Sequence, residues 1–278
     1  MKTAEIKRVT AVYFSPAGHT AQVTELVAGE LAYRLSAEKR NLDFTLPSMH
    51  EGRKYSFEEE LVVFGCPTYA GRVPNKVLPW IQTIFEGNQV PAIALVTYGN
   101  RNFDSSLTEL QEELSKDHFA VFAAAAFPCS HVFSGQIAGK RPDAADKEKI
   151  RDFAGQSFDK LTGAEDTQEL SLPLIRGGQP VGPYYVPKGI DGQPAKFLKA
   201  KPKIDLARCN LCGTCSKVCP MGSIDSKTCQ TTGICIKCQA CISHCSRQAR
   251  YFDDAAFLSH VKMLEENCRE RKEAEYFL

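Results

Sequence analysis

The spacing of hydrophobic residues changes repeatedly between two periods in the N-terminal part of the chain. Short apolar runs rich in β-branched and aromatic residues alternate with stretches whose apolar residues recur every three or four positions, as do Val23, Val27 and Leu31. The first pattern predicts buried strands and the second predicts amphipathic helices. Five strands that alternate with helices indicate an α/β fold, a doubly wound parallel sheet covered on both faces. The predicted strands are Thr10–Phe14, Asp43–Leu46, Glu60–Gly65, Pro91–Thr97 and Ala120–Ala126, and the last predicted helix is Asp143–Leu161.

The alternation ends near residue 163, where proline and glycine become frequent. Residues 164–203 include Pro173, Gly177 and Gly178, so a regular helix or central strand is not expected there and an interdomain linker is predicted. The second half of this linker is rich in lysine. Two interpretations stay open for it, a solvated connection and a docking patch for an acidic redox partner.

The end of the chain is charged and has helical spacing. Phe257, Val261 and Leu264 recur at steps of three and four, which predicts one helix over Asp253–Glu275 that packs back on one of the domains. The predicted organisation is an α/β domain at 1–163, a linker at 164–203, a cysteine-rich domain at 204–252 and a C-terminal helix at 253–278.

Composition is that of an ordinary globular protein. The 278 residues are 43% hydrophobic and 24% charged, which suits two unequal domains with a sizeable core. No stretch approaches about 18 uninterrupted apolar residues, so no transmembrane helix is predicted. The apolar run that ends at Phe14 is too short for a secretory signal. Cysteines in such a chain favour reduced thiolates over disulfides, and the sequence predicts a cytoplasmic location.

Eight of the twelve cysteines form one spacing that occurs twice, as Cys-x-x-Cys-x-x-Cys-x-x-x-Cys. In this bacterial type of run, three closely spaced thiolates bind one cubane cluster and the fourth binds the other. The spacing therefore predicts two 4Fe–4S clusters in a small α+β ferredoxin-like domain. The predicted ligands of cluster one are Cys209, Cys212, Cys215 and Cys245, and those of cluster two are Cys235, Cys238, Cys241 and Cys219.

Zinc is the alternative for these cysteines, because Cys-x-x-Cys pairs also build tetrahedral zinc sites. A zinc site uses two such pairs, and it leaves a third cysteine at the same short step, followed by a fourth, without a role. Cys66, Cys129, Cys229 and Cys268 lack metal-ligand spacing and are interpreted as small hydrophobic residues or spectators.

Three loops that follow predicted strands are rich in Gly, Asn, Ser, Thr and aromatic residues. Ligands of open parallel sheets bind beyond the carboxyl ends of the strands, where such loops meet. The first loop precedes a helix and suits a phosphate, held by backbone N–H groups and by the hydroxyls of Ser15 and Thr20. A flat ring could stack on Tyr69, Tyr98 or Phe103, although each aromatic alone is more often a packing residue. The loops are Ser15–Thr20, Cys66–Pro74 and Thr97–Asp104.

The three loops resemble the FMN loops of flavodoxin-like domains. With the cysteine runs, they resemble the flavodoxin–ferredoxin fusion family of anaerobic bacteria and archaea. The resemblance rests on the segments Tyr13–Thr20, Pro67–Pro74 and Tyr98–Asp104, on Arg141-Pro142-Asp143 at a helix start, and on the cysteine module. It covers nearly the whole chain and implies FMN as the cofactor of a flavodoxin-like N-terminal domain.

The resemblance also implies which residues contact FMN. The phosphate would be held by Ser15, Ala17, Gly18, His19 and Thr20. The isoalloxazine ring would be flanked by Pro67, Thr68, Tyr69, Ala70 and Gly71, and its site completed by Tyr98, Gly99, Asn100, Arg101 and Phe103. His131 follows the fifth strand and could reach the flavin edge, but a surface histidine is the more common case. No catalytic residue is assigned.

Clusters transfer single electrons and a flavin takes one or two, so the combination predicts an electron-transfer protein linking an external redox partner, two clusters and FMN. An FMN-dependent reductase of a small organic substrate is the alternative, and a redox sensor is a third hypothesis, which requires a recognition module.

The sequence lacks a nicotinamide fingerprint. The formal charge of +1 becomes negative once cofactors are bound, which argues against a nucleic-acid partner. A homodimer is left open.

Overall fold

The computed structural model describes residues 5–171, 174–175 and 179–278. Pro173, Gly177 and Gly178 of the predicted linker lie outside these residues. The strands are β1 (Arg8–Tyr13), β2 (Glu38–Asp43), β3 (Tyr55–Ser56), β4 (Glu60–Pro67), β5 (Phe85–Glu86), β6 (Pro91–Tyr98), β7 (Ala120–Pro128), β8 (Lys203–Ile204), β9 (Arg250–Tyr251) and β10 (Glu275–Phe277). The helices are α1 (His19–Leu35), α2 (Pro47–His50), α3 (Leu78–Ile84), α4 (Ser106–Lys116), α5 (Ala144–Gly163), α6 (Thr214–Lys217), α7 (Ala240–Ser243) and α8 (Ala255–Asn267), with a 3₁₀ turn at Thr167–Glu169.

Five long strands form a parallel sheet in the order β2, β1, β4, β6, β7. Counted along these five alone, the order is 2-1-3-4-5, which is that of the flavodoxin-like doubly wound fold. The predicted α/β fold is confirmed. The order reverses between β1 and β4, and the loops after β1, β4 and β6 meet at the carboxyl edge beside this switch point.

The central strands are hydrophobic throughout because helices cover both faces of the sheet. Val12, Phe64 and Val96 belong to the core on one face, together with residues of α3 and α4. Their neighbours Val63 and Leu95 belong to the core on the other face, together with residues of α1 and α5. Successive residues of a strand point to opposite faces, so continuous apolar runs fill two cores at once.

The second strand differs from the prediction of Asp43–Leu46. The observed β2 spans Glu38–Asp43, is polar, and buries only Leu42. It lies at the edge of the sheet and pairs with β1 alone. One face of an edge strand is open to solvent, and therefore the hydrophobic signal that marks the central strands is missing from this sequence.

The C-terminal segment also differs, because the predicted single helix over Asp253–Glu275 is wrong. Helix α8 ends at Asn267, and the chain then crosses to β7 and adds β10 as an antiparallel sixth strand. Tyr276 pairs with Ala125 and donates its hydroxyl to the carbonyl of Lys149 at 2.7 Å. The expectation that the segment packs back on a domain is confirmed, and β10 covers the edge that β7 would otherwise expose.

The cysteine-rich region is built from short elements. Strands β8 and β9 form an antiparallel pair, and α6 and α7 each follow a group of cysteines. The described part of the linker packs against its surroundings, since Phe197 and Ala200 share a small core with Phe257 of α8. No helix in the described part of the chain has the length and apolar character needed to cross a lipid bilayer.

Asp117, which follows α4, makes stability depend on pH. Burial, and then the charges of Glu113 and Glu86, raise its pKa to about 7. Its Oδ2 is buried without a hydrogen-bond partner in the described residues. The folded chain therefore holds a proton that the unfolded chain has already released, so stability falls as pH rises from about 4 to about 7.

We expect Asp117→Asn to stabilise the protein at pH 8 and to have little effect at pH 4.5. The side chain is only partly buried, so we expect a gain of about 1 kcal/mol, which is a rise in Tm of about 2–4 °C. Thermal unfolding at the two pH values measures it. An equal change at both would contradict the assignment.

Candidate functional site

The loop after β1 presents free backbone amides at the start of α1. Gly18 precedes the helix with φ 85° and has no side chain with which to cap it. Within the described residues, the N–H groups of Ala17, His19 and Thr20 have no hydrogen-bond acceptor. Free amides at the positive end of a 17-residue helix form an anion site. The loop therefore fits the phosphate of a mononucleotide.

The two hydroxyls predicted to hold the phosphate also shape this loop. Ser15 Oγ accepts a hydrogen bond from the amide of Ala21 at 2.9 Å and keeps its own proton available for a ligand. Thr20 Oγ1 lies 2.7 Å from Thr97 Oγ1, which ties the loop to the end of β6. Burial lowers the pKa of His19, so its ring is neutral at pH 7.

The phosphate loop depends on the close packing of α1 against β4 at Gly65. A Cβ at this position would lie 2.0 Å from Thr24 Oγ1 and 3.1 Å from Thr20 Cγ2. We expect Gly65→Ala to displace the start of α1, to cost about 1–3 kcal/mol, and to weaken flavin binding. Thermal unfolding and flavin retention on dialysis measure the two effects.

Gly155→Ala on α5 is the matched control. Its added Cβ would meet only the flexible Arg34 side chain, at 3.4 Å. Alanine is favoured over glycine in a helix, so this variant should be neutral or more stable by about 0.5–1 kcal/mol. Equal behaviour of the two variants would contradict the role given to Gly65.

The loop after β4 is folded back on itself. The amide of Tyr69 donates to the carbonyl of Arg72 at 2.9 Å, and Ala70 and Gly71 have φ of 49° and 77°. Thr68 Oγ1 lies 2.6 Å from Ser106 Oγ. Pro67 ends β4, and the Tyr69 side chain is half-buried at the carboxyl edge. This tight turn fixes Tyr69 where the predicted ring site lies.

The loop after β6 differs from expectation in what its side chains do. Tyr98 and Phe103 are 4% and 5% exposed, with ring centroids 5.6 Å apart, so they pack on each other and do not offer a face for stacking. Asn100 is 1% exposed, and its Nδ2 donates to the carbonyls of Cys268 and Glu270 at 2.8 Å. This loop therefore holds the C-terminal segment, and its Arg101 forms an ion pair with Asp104.

His131 is partly buried. It lies so close to Gly99 that a Cβ there would be 2.2 Å from its Cδ2. Burial, followed by the charges of His260 and Arg101, lowers the pKa of His131 to about 4. Its Nδ1 accepts a hydrogen bond from the amide of Phe133 at 3.1 Å. His131 is thus a neutral packing residue beneath the predicted ring site.

The eight cysteines of the repeated spacing lie around two separate cavities. They divide as the crosswise rule for such runs requires, three neighbours and one distant residue each. Cys209, Cys212, Cys215 and Cys245 line one cavity, and Cys229 lines it as well. Cys219, Cys235, Cys238 and Cys241 line the other. We call these the outer and the inner cavity.

Backbone geometry is repeated around the two cavities. Leu211 and Gly213 have positive φ after the first cysteine, and Lys237 and Gln239 have it at the equivalent positions of the second run. Such turns aim amides inward. Amides donate to the sulfurs of Cys209, Cys219 and Cys245 at 3.3–3.4 Å. Hydrogen bonds of this kind stabilise the thiolate ligands of iron–sulfur clusters. The residues that line each cavity therefore fit a 4Fe–4S cluster.

The thiols do not converge on a point. Among the residues that the structure describes, no three Cys, His, Asp or Glu side chains are arranged to hold a single metal ion. A 4Fe–4S cluster does not need this convergence, because each of its four thiolates binds a different iron atom.

The two cavities differ in exposure. Cys212 of the outer cavity is exposed, and hydrogen bonds from Thr214 lower its pKa. In the inner cavity, burial raises the pKa of Cys238 to about 12 and that of Cys241 to about 11. The outer cavity therefore lies nearer to solvent, and the inner cavity lies deeper in the protein.

The inner cavity adjoins the predicted ring site of the same chain. Ile236, between two of its cysteines, packs against the core of the α/β domain. Burial raises the pKa of Tyr69 well above its usual value, and the neighbouring Cys238 and Cys235 raise it further. Tyr69 is thus shared by the loop after β4 and the surroundings of the inner cavity.

Several residues that shape the site escaped prediction. Arg72 pairs with Glu109 of α4 and lies 4.8 Å from the ring of Tyr184. Arg101 lies 4.0 Å from the ring centroid of Tyr185, whose amide donates to the carbonyl of Ala70. The linker tyrosines were the available signal, since two adjacent aromatics are unusual in a solvated connection.

Comparison with known families gives one assignment. Residues 201–224 match a 4Fe-4S binding domain. The match contains the first four-cysteine run, whereas the second run lies beyond it. The comparison with curated proteins found no match.

Flavodoxin structures are among those that resemble the chain. A flavodoxin from the domain Archaea shares 12% identity and has a TM-score of 0.37, over 55% of this chain and 98% of its own. Oxidised Flavodoxin 2 from Bacillus cereus shares 14% with a TM-score of 0.36, over 53% and 94%. The flavodiiron protein from Giardia intestinalis shares 17% with a TM-score of 0.37, over 61% of this chain and 39% of its own. The strand order itself, and not these likenesses, identifies the fold.

A flavodoxin-like fold and a 4Fe–4S binding domain thus occur on one chain.

Proposed function

We propose that this protein carries electrons between an external redox partner and FMN through two 4Fe–4S clusters, one in each cysteine-lined cavity. The observation that carries the proposal is the position of the inner cavity, where Ile236, between Cys235 and Cys238, packs against the core of the α/β domain. Clusters supply one-electron transfer and FMN takes one or two electrons, so the pair interconverts the two kinds of carrier.

Exposure suggests the direction of the path. Cys212 makes the outer cavity the one closer to solvent, and the inner cavity separates it from the loops of the α/β domain. An external partner would then exchange electrons at the outer cavity. Exposed Arg247 lines it, and the same domain carries the exposed cations Arg208, Lys217 and Lys227. They favour an acidic redox protein, whose association would weaken as salt is added.

The chain's own residues would hold the flavin by its phosphate. The amides of Ala17, His19 and Thr20 would bind the anion, and Ser15 would donate its hydroxyl. The turn at Ala70 and Gly71 would bring backbone close to the ring, with Tyr69 beside it. These groups position a ligand at the edge nearest the inner cavity.

The histidines near the loops after β4 and β6 favour an electron carrier over a reductase of organic substrates. A reductase needs a proton donor beside its substrate. Burial lowers the pKa of both His131 and His260, so neither ring carries an extra proton at pH 7. A protein that only carries electrons needs no such donor.

The test is anaerobic purification followed by quantification of iron, acid-labile sulfide and flavin in one sample. About eight irons, eight sulfides and one FMN per chain would support the proposal. Eight irons without flavin would refute the phosphate and ring sites. About four irons would refute the second cluster.

Stepwise reduction of the same sample tests the connection between the cofactors. A one-electron reductant should reduce clusters and flavin together, whereas NADH or NADPH alone should leave the flavin oxidised. Rapid bleaching of the flavin by either nicotinamide would contradict the need for an external redox protein.

A further inference from the structure

Arg250 in β9 is buried between the two cysteine-lined cavities. It is 4% exposed, and its Nη1 donates to the carbonyl of Cys229 at 2.6 Å and lies 3.8 Å from Cys215 Sγ of the outer cavity. Its Nη2 donates to Thr231 Oγ1 at 2.6 Å. The guanidinium is therefore fixed in orientation beside an outer-cavity thiol.

The same guanidinium reaches the wall of the inner cavity. Arg250 itself lines the outer cavity, and Thr231, to which its Nη2 donates, lines the inner one. Strand β9 also packs against α7, which carries Cys241. One side chain thus lies between the two sets of thiols.

The charge of Arg250 has no carboxylate partner. None of the ion pairs among the described residues includes it, and its Nε is buried without a hydrogen-bond partner. Burying a cation is costly unless a nearby anion compensates for it. Thiolate-bound clusters are anions, and they would stand on both sides of this residue.

We propose that the buried cation of Arg250 raises the midpoint potential of both clusters. The proposal rests on the proposed function, since it requires a cluster in each cavity. An added electron makes a cluster more negative, so a cation beside it stabilises the reduced form. Burial makes this effect larger than that of a surface cation, which solvent and salt screen.

The test is an anaerobic redox titration of the holoprotein, followed by electron paramagnetic resonance, on the parent protein, Arg250→Gln and Arg250→Lys. In Arg250→Gln we expect both potentials to fall by at least a tenfold change in the reduction equilibrium, which is about 59 mV for one electron. Arg250→Lys keeps the charge but loses the planar fork, so its shifts should be smaller and unequal between the clusters.

Arg208→Gln is the matched control. Arg208 is exposed in the same domain and donates to Gln248. Its replacement by glutamine therefore removes an equal charge at a position where solvent and salt screen it strongly. Its potentials should stay close to those of the parent. Potentials of Arg250→Gln that move no further than those of Arg208→Gln, or a shift in one cluster alone, would overturn the proposal.

Iron content separates this proposal from the proposed function. A parent protein with fewer than two clusters would refute the proposed function before any variant is measured. Unshifted potentials in a variant with full iron would refute only the role of Arg250. If Arg250→Gln fails to assemble its clusters, the neutral variant Arg250→Met decides, because potentials of both of its clusters that match those of the parent would overturn the proposal.

Discussion

Replacing Cys219 with serine should abolish the cluster of the inner cavity, although Cys219 belongs to the first cysteine run. The structure places this residue with Cys235, Cys238 and Cys241, and not with its sequence neighbours. Iron should fall to about half, and the flavin should no longer be reduced through the remaining cluster. Iron analysis, electron paramagnetic resonance and flavin absorbance during anaerobic reduction measure these effects.

Cys268→Ala provides the control for Cys219→Ser. Cys268 caps the end of α8 and lines neither cysteine cavity, so its loss should leave the full iron content. Cys245→Ser is the reciprocal variant and should remove the outer cluster. Full iron in Cys219→Ser, or loss of the same cluster in both serine variants, would contradict the crosswise division.

The parts of the fold that local sequence determines were predictable. Central strands buried on both faces have continuous apolar runs, and the cysteine spacing is a local signal of the cluster type. The edge strand β2 lacked such a signal because only Leu42 is buried in it. Strand β10 lacked one too, since pairing with β7 across more than a hundred residues creates it.

The meeting of the three loops at the carboxyl edge of the sheet was predictable, but the roles of their side chains were not. Asn100 was expected near a flavin, and its side chain instead binds two carbonyls that lie about 170 residues away in sequence. Such partners depend on the tertiary path of the C-terminal segment. The positive φ of Leu211 and Lys237 could not be predicted either, because neither residue favours that conformation.

The linker and the C-terminal segment bring the two domains together at the loops after β4 and β6. Tyr185 of the linker lies over Arg101, and the backbone after α8 is held by Asn100. Both connections therefore end at the same edge of the sheet, next to the inner cavity. The relative position of the two domains depends on these contacts.

Arg72→Ala should cause a large loss of stability. Its Nε donates to Glu109 Oε2 at 2.8 Å, its Nη2 to Glu109 Oε1, and its Nη1 to the carbonyl of Gly182. The two side chains are 17% and 4% exposed. Removal of the cation would leave the Glu109 carboxylate buried and unpaired, at a cost of about 3–5 kcal/mol. Thermal unfolding should show a Tm lower by roughly 6–20 °C.

The double variant Arg72→Met, Glu109→Gln tests the reason for this loss. Without a buried charge, it should recover much of the stability, although Val73 still needs the hydrogen bond that Glu109 Oε2 accepts at 2.8 Å. Arg34→Ala breaks a more exposed pair with Glu30 and should cost less than about 1 kcal/mol. If Arg72→Ala were as mild as Arg34→Ala, the Arg72–Glu109 pair would not be what holds the loop after β4 in place. A large loss that the double variant fails to reduce would instead assign the effect to the contacts of Arg72 with Gly182 and Tyr184.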